Sequence, residues 1–283
     1  MLIVNGKLVE AGAPELTLLN RSFKYGDGLF ETLRVYKGAI MMLDAHLERL
    51  RRGMELLKFD FAPEFFLPRI QEEIERLLVV NQIQAHGRIR LHVYRSGAGT
   101  YKPLEDEPFY LLEGYSLKDD YYAHNAPISL TDYHDFPLSP HPLSGVKSAN
   151  ALPYILAARH AREMGYDEAL LFHGKYIAEA SSANLFIVHQ QKILTPPLSE
   201  GGLPGIMRQQ VIQLAERLKL VCQEKRLRPK DLRQADEIFL TNSIRGMIPV
   251  DQYQNLKLDV KRYALLPFLQ RCWVQWVEES MLV

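Results

Sequence analysis

Two cysteines stand in 283 residues, Cys222 and Cys272, far apart and in no CxxC pair. That leaves nothing for a disulfide framework or a cysteine-built zinc site, and no metal is expected. No apolar run reaches the roughly 18 residues a membrane span needs. Charge of one sign is also missing: 34 basic residues balance 34 acidic ones. A global electrostatic case for nucleic acid or an anionic membrane surface therefore fails, and neither partner is expected. The start, Met1-Leu-Ile-Val-Asn-Gly-Lys, has no basic region followed by an apolar core, so it does not read as a signal peptide. A soluble, cytoplasmic protein is the expectation. There is no GxxxxGK[ST] loop and no GxGxxG after a strand, which leaves nucleoside triphosphates and dinucleotides unsupported. Internal repeats and low-complexity stretches are absent too.

What is present is ordinary globular material, 47% hydrophobic and 24% charged. The length suits two domains, set at a small N-terminal domain over 1–117, a linker at 118–126 and a large C-terminal domain over 127–283. Residues 2–10 read as a hairpin turning at Asn5-Gly6. A turn at Tyr25-Gly-Asp-Gly leads into a strand. Asp44 is the expected N-cap of a helix through Leu57, and the stripe Leu67, Ile70, Ile74, Leu77 predicts a second helix over 63–80. Residues 88–95 alternate in the strand period, with Ile89, Leu91 and Val93 on one face and Arg88, Arg90, His92 and Tyr94 on the other. Further strands are expected at 109–112, 128–131, 168–172, 177–179, 184–188 and 237–241. Helices are expected over 153–164, from Gly205 to about 218 and over 260–278. Strands and helices mix without strict βαβ alternation, which predicts an α+β fold rather than a doubly wound one.

Chemistry enters at Lys147, just ahead of a helix in a segment of small, uncharged residues. A lone lysine is usually solvated, but one that loses hydration offers a neutral amine as nucleophile or base. Glu179 follows 32 residues later, and alone it reads as a strand-end carboxylate. Gly202-Leu-Pro-Gly-Ile-Met-Arg turns through glycines into a helix start, whose backbone amides form an anion site. Arg49 is an available charged partner for that anion. Lysine, acid and phosphate cradle together suit pyridoxal phosphate: the lysine as Schiff-base former, the acid on the pyridine nitrogen and the cradle on the phosphate. Trp273 and Trp276, three apart, read as packing rather than a binding box.

Six blocks then line up. Tyr25-Gly-Asp-Gly-Leu-Phe-Glu, His46-Leu-Glu-Arg-Leu, Lys147-Ser-Ala-Asn, Glu179-Ala-Ser-Ser-Ala-Asn-Leu-Phe, Pro204-Gly-Ile-Met-Arg and Asp236-Glu-Ile-Phe-Leu-Thr-Asn-Ser resemble, in order, the class IV (fold type IV) pyridoxal-phosphate enzymes. That group holds branched-chain aminotransferases, D-amino-acid aminotransferases and aminodeoxychorismate lyases. The resemblance runs from about Asn20 to Val250. It implies a two-domain fold with a small α/β domain and a larger β-rich domain flanked by helices. It also implies pyridoxal 5′-phosphate as cofactor, a homodimer, and amino-acid and 2-oxo-acid substrates. Residue by residue it implies Lys147 as the Schiff-base lysine and proton carrier and Glu179 as the pyridine-nitrogen partner. Arg49, the amides of Ile206 and Met207, and Ser243 would hold the phosphate, with Leu203 packed on the ring. Many members carry a hydroxyl where Met207 stands, so here its amide alone contributes. Thr241 competes with Ser243 as the hydroxyl.

Arg90 is the candidate for gripping a substrate carboxylate through its planar fork, against the plainer reading of an exposed polar strand face. Tyr25 and Thr32 join it as candidate substrate residues. The Arg-x-His carboxylate trap common in similar D-amino-acid enzymes is replaced by Ser96-Gly-Ala-Gly-Thr-Tyr-Lys. Leu152 stands where branched-chain enzymes usually have a tyrosine. The leading expectation is a transaminase working on a D-amino acid and a 2-oxo acid such as 2-oxoglutarate or pyruvate. The alternatives are an aminodeoxychorismate lyase, which Phe30-Glu-Thr-Leu-Arg also resembles, and an L-branched-chain aminotransferase.

Overall fold

The computed structural model describes residues 1–12, 20–95, 97–118 and 125–280. Most of the expected linker, and Ser96 of the 96–103 loop, lie outside these residues. The chain falls into two compact units, Met1–Asp120 with Val146–Asn150, and Tyr121–Gly145 with Ala151–Val283.

The first unit contains β1 (Leu2–Val4), β2 (Lys7–Val9), α1 (Arg21–Tyr25), β3 (Gly28–Tyr36), β4 (Ala39–Ile40), α2 (Leu43–Leu56), α3 (Pro63–Val80), β5 (Gly87–Arg95) and β6 (Pro108–Ser116). Its six strands run in the order β2-β1-β6-β5-β3-β4, each antiparallel to its neighbours. Period-two alternation sends Leu29, Leu33, Val35, Ile89, Leu91 and Val93 to one face. There they pack with Leu47, Leu50 and Met54 of α2 and Ile70, Ile74 and Leu77 of α3 in a single core. The hairpin, the 63–80 helix and the 88–95 strand follow their expected courses. The short helix α1, capped by Asn20 Oδ1 accepting from the Phe23 amide at 2.9 Å, precedes the Tyr25-Gly-Asp-Gly turn, which leads into β3 as expected. The start of α2 is corrected. Asp44 is not an N-cap: the chain enters α2 through Met42 in the left-handed conformation (φ 51°), which places Asp44 in the first turn. A carboxylate there still complements the helix dipole.

The second unit contains β7 (Ile128–Tyr133), α4 (Leu152–Glu163), β8 (Glu168–His173), β9 (Tyr176–Ala180), β10 (Asn184–His189), β11 (Lys192–Thr195), α5 (Ile206–Arg217), β12 (Cys222–Glu224), α6 (Pro229–Arg233), β13 (Glu237–Asn242), β14 (Gly246–Tyr253), β15 (Leu256–Lys257) and α7 (Leu265–Ser280). The strand order is β12-β11-β10-β13-β14-β7-β8-β9, with β15 paired to β14. The β11/β12, β14/β7 and β7/β8 pairs are parallel. One wholly antiparallel sheet and one mixed sheet, each with helices, make an α+β fold. Leu185, Ile187, Ile238, Leu240, Ile248 and Val250 fill the core of the mixed sheet.

The last helix starts later than its hydrophobic pattern suggests, because Val260–Arg262 form a 3₁₀ turn and α7 opens only at Leu265. The buried Glu237 sets that start: its carboxylate accepts the amides of Ala264, Leu265 and Leu266, each at 2.7 Å. Three otherwise orphaned helix donors are satisfied by one side chain. Trp273 is buried and meets Trp276 edge-on at 5.6 Å, a packing contact. Replacing Glu237 by Ala is expected to lower the unfolding free energy by about 2 kcal/mol. A urea titration checks this, as a lower midpoint at unchanged slope.

Candidate active site

In the second unit the expected acid is built into the sheet. Glu179 lies on β9 opposite Leu171 of β8 and is buried. Its Oε1 accepts from the Tyr154 hydroxyl at 2.8 Å and the Leu203 amide at 3.0 Å, and its Oε2 accepts from Asn184 Nδ2 at 3.0 Å. The same Asn184 amide donates to the Leu203 carbonyl at 2.9 Å. The strand-borne carboxylate, the first residue of β10 and the loop before α5 are therefore tied into one set. Burial and the neighbouring Glu179 carboxylate push the Tyr154 phenol well above its usual range, so it acts as a donor.

Leu203 is half-buried, and two residues on, Gly205 caps α5. A Cβ at Gly205 would lie 1.9 Å from Asn184 Oδ1, so a side chain there would break the Asn184 bonds. The side chains of Ile206 and Met207 are buried, which leaves their amides as their polar contribution at the helix start. Ser243 lies half-buried in the turn between β13 and β14, where Asn242 Oδ1 accepts the amides of Ile244 and Arg245. Thr241, the competing hydroxyl, sits buried within β13 opposite Asn184.

In the first unit, Lys147 is fastened to β3. Its carbonyl accepts the Phe30 amide at 2.9 Å, and the Ala149 amide donates to the Gly28 carbonyl at 2.8 Å. Asn150 Nδ2 reaches the Gly26 carbonyl at 3.2 Å. Gly26 has φ 66°, and a Cβ there would lie 2.5 Å from Asn150 Oδ1. The Tyr25-Gly-Asp-Gly and Lys147-Ser-Ala-Asn blocks, more than a hundred residues apart in sequence, thus lie against each other.

Lys147 Nζ lies 4.4 Å from the Phe30 ring centroid, and the Arg90 guanidinium lies 4.1 Å from the same centroid. Thr32 is the cross-strand partner of Arg90, and His92 that of Phe30, on the sheet face opposite the core. Arg90 is half-buried, 3.9 Å from Glu113. Burial lowers its pKa, with Glu113 acting the other way. Burial, with Arg90 nearby, lowers His92 to about 4, so it is neutral near pH 7 while its Nε2 meets Ser22 Oγ at 2.8 Å. Tyr25 ends α1, with Arg21 over its ring at 5.3 Å and Tyr101 at 5.5 Å. Arg49 points from α2 to Glu31 of β3.

The expected residues thus fall into two sets. Lys147, Arg90 and Thr32 gather around Phe30, with Tyr25 and Arg49 elsewhere in the first unit. Glu179, Leu203 and the start of α5 form the second set, with Ser243 at a turn of the same unit. Sequence reasoning missed Phe30, Glu31 and His46 as participants, although each lay inside a quoted block, and strand alternation already put Phe30 beside Thr32. Tyr154 carried no signal at all.

Residues 28–253 match the family model described as amino-transferase class IV, which is well over half of the chain. The chain belongs to the class IV aminotransferases. It is similar to a D-alanine aminotransferase of Bacillus licheniformis, 27% identical over 88% of this chain and 87% of that one. It is also similar to a putative branched-chain-amino-acid aminotransferase of Methanocaldococcus jannaschii, 31% identical over 88% and 86%. Among solved structures, a putative 4-amino-4-deoxychorismate lyase from Legionella pneumophila matches with a TM-score of 0.83 and 26% identity, over 93% of this chain and 96% of that one. Class IV aminotransferases depend on pyridoxal phosphate, so this one is a pyridoxal-phosphate enzyme. The residues fit that group: a lysine amine, a buried carboxylate on which three donors converge, and a helix start where a Cβ would not fit. Among the described residues no helix is long and apolar enough to cross a membrane, and no group of side chains forms a metal site.

Proposed function

We propose that this class IV aminotransferase exchanges an amino group between an amino acid, preferentially the D enantiomer, and a 2-oxo acid such as pyruvate or 2-oxoglutarate. The observation that carries the reading is the sharing of the Phe30 ring by Lys147 and Arg90. A nucleophilic amine beside a planar carboxylate-binding cation suits an α-amino acid. Bound pyridoxal phosphate supplies the electron sink that makes the substrate Cα–H acidic. Lys147 Nζ carries that proton. Glu179, oriented by Tyr154, Asn184 and the Leu203 amide, answers the ring nitrogen, while Leu203 packs on the ring face. Arg49, the amides of Ile206 and Met207, and Ser243 hold the phosphate. Arg90 takes the substrate carboxylate, with Tyr25 and Thr32 as further pocket walls.

The B. licheniformis relative supports the D preference, and so does Leu152, an exposed aliphatic residue where a branched-chain enzyme would carry a tyrosine. A homodimer in the cytoplasm belongs to the same proposal. The second reading, a lyase that eliminates pyruvate and leaves 4-aminobenzoate, is favoured by Thr32 lying directly across from Arg90 and by the L. pneumophila likeness. One experiment separates them. The cofactor-loaded enzyme is mixed with D-alanine, L-leucine or aminodeoxychorismate while the cofactor spectrum and products are followed. Pyruvate from D-alanine, with conversion of the cofactor to its amine form, is expected. 4-Aminobenzoate from aminodeoxychorismate without amino transfer would establish the lyase, and reaction with L-leucine alone the branched-chain reading.

A further inference from the structure

Glu31 is the odd residue on the apolar face of β3. Its neighbours on that face, Leu29 and Leu33, belong to the core, yet Glu31 is a carboxylate only 1% exposed. Taking a carboxylate and a guanidinium out of water is costly, and an apolar residue would pack there at least as well for stability. The bonds it makes point to another purpose. Arg49 Nε meets Glu31 Oε1 at 2.8 Å and Arg49 Nη2 meets Oε2 at 2.5 Å, a side-on fork. His46 Nδ1 meets the same Oε2 at 2.7 Å. His46 and Arg49 stand three apart on α2, hence on one helix face. Burial raises the Glu31 pKa, but Arg49 and His46 more than offset it and hold the carboxyl at about 2. The negative charge therefore persists throughout the neutral range. An ionised carboxylate can only accept, so His46 Nδ1 carries the proton and donates to Glu31 Oε2.

We propose that Glu31 and His46 are positioning residues for Arg49, locking its guanidinium in the orientation that meets the cofactor phosphate. A fork through Nε and Nη2 removes rotation about the last side-chain bonds. The second donor on Oε2 keeps the carboxylate from swinging out of the guanidinium plane. Orientation is thereby set before the anion arrives, and little entropy is lost on binding. The inference rests on the reading of Arg49 as a phosphate anchor.

The test compares pyridoxal phosphate with pyridoxal, which lacks the phosphate, as ligands of the full chain stripped of cofactor, with Kd taken from equilibrium dialysis. Glu31→Gln should weaken pyridoxal phosphate on the order of tenfold while leaving pyridoxal unchanged. Arg49→Lys should show the same phosphate-selective loss, and adding Glu31→Gln to it should change little further. If Arg49→Lys keeps the native ratio of the two affinities, the anchor reading fails and the positioning role falls with it. If Arg49→Lys loses the ratio but Glu31→Gln keeps it, or weakens both ligands equally, the anchor stands and the positioning role is overturned. Should Glu31→Gln fail to fold, Glu31→Asp gives the same comparison, since it keeps the charge but draws the carboxylate back from the guanidinium.

Discussion

Lys147→Ala should remove turnover, by about 10⁴-fold or more, together with the cofactor's visible absorbance. The protein itself should remain folded. What holds Lys147 to β3 is backbone, its carbonyl accepting from Phe30, and the neighbouring Val146 packs against the apolar core. None of that depends on the amine. The contact of its amine with the Phe30 ring is worth about 1 kcal/mol. Steady-state assays, visible spectra and far-UV circular dichroism on one preparation separate the effects. Unchanged dichroism with both activity and absorbance lost is the expected pattern, and multi-turnover transamination by the variant would defeat the assignment.

Arg90→Leu should lower kcat/KM for α-carboxylate substrates by about 30- to 150-fold, equivalent to about 2–3 kcal/mol for a charged hydrogen-bonded contact. Leucine keeps an apolar contact with Phe30, and the lost ion pair to Glu113, at 3.9 Å and partly exposed, contributes little to stability. The loss should therefore appear in catalysis rather than in the denaturation midpoint. An amine donor without a carboxylate provides the control, because its kcat/KM should be nearly untouched. Equal values for mutant and native enzyme with a carboxylate substrate would return Arg90 to the role of a polar residue on an open sheet face.

Both variants probe residues whose types were legible in the sequence but whose surroundings were not. Period-two alternation placed Ile89, Leu91 and Val93 in the core and Arg90 and His92 on the other face. Period-3.6 spacing outlined α3. Those patterns are local, because burial of one face is imposed residue by residue along an element. Lys147, Glu179 and the glycine turn before α5 stood out for a different reason, since they lie in short blocks that resemble those of a known family.

Tertiary structure decided the rest. Asp44 met the compositional rule for an N-cap, yet the left-handed entry through Met42 moved the helix start. The onset of α7 was set by Glu237, 28 residues before Leu265, which no window along the chain would reveal. Phe30 beneath Lys147 pairs residues 117 apart (147 − 30). Tyr154 donates to Glu179 from a helix 25 residues earlier. Glu31 could as well have been a solvated strand residue until α2 carried His46 and Arg49 against it. By itself the sequence determined which faces are buried and which residues are chemically able. Which side chain meets which depends on chain crossings tens to over a hundred residues long. These are selected by packing and by the cost of leaving buried polar groups unpaired, and neither is written in local periodicity.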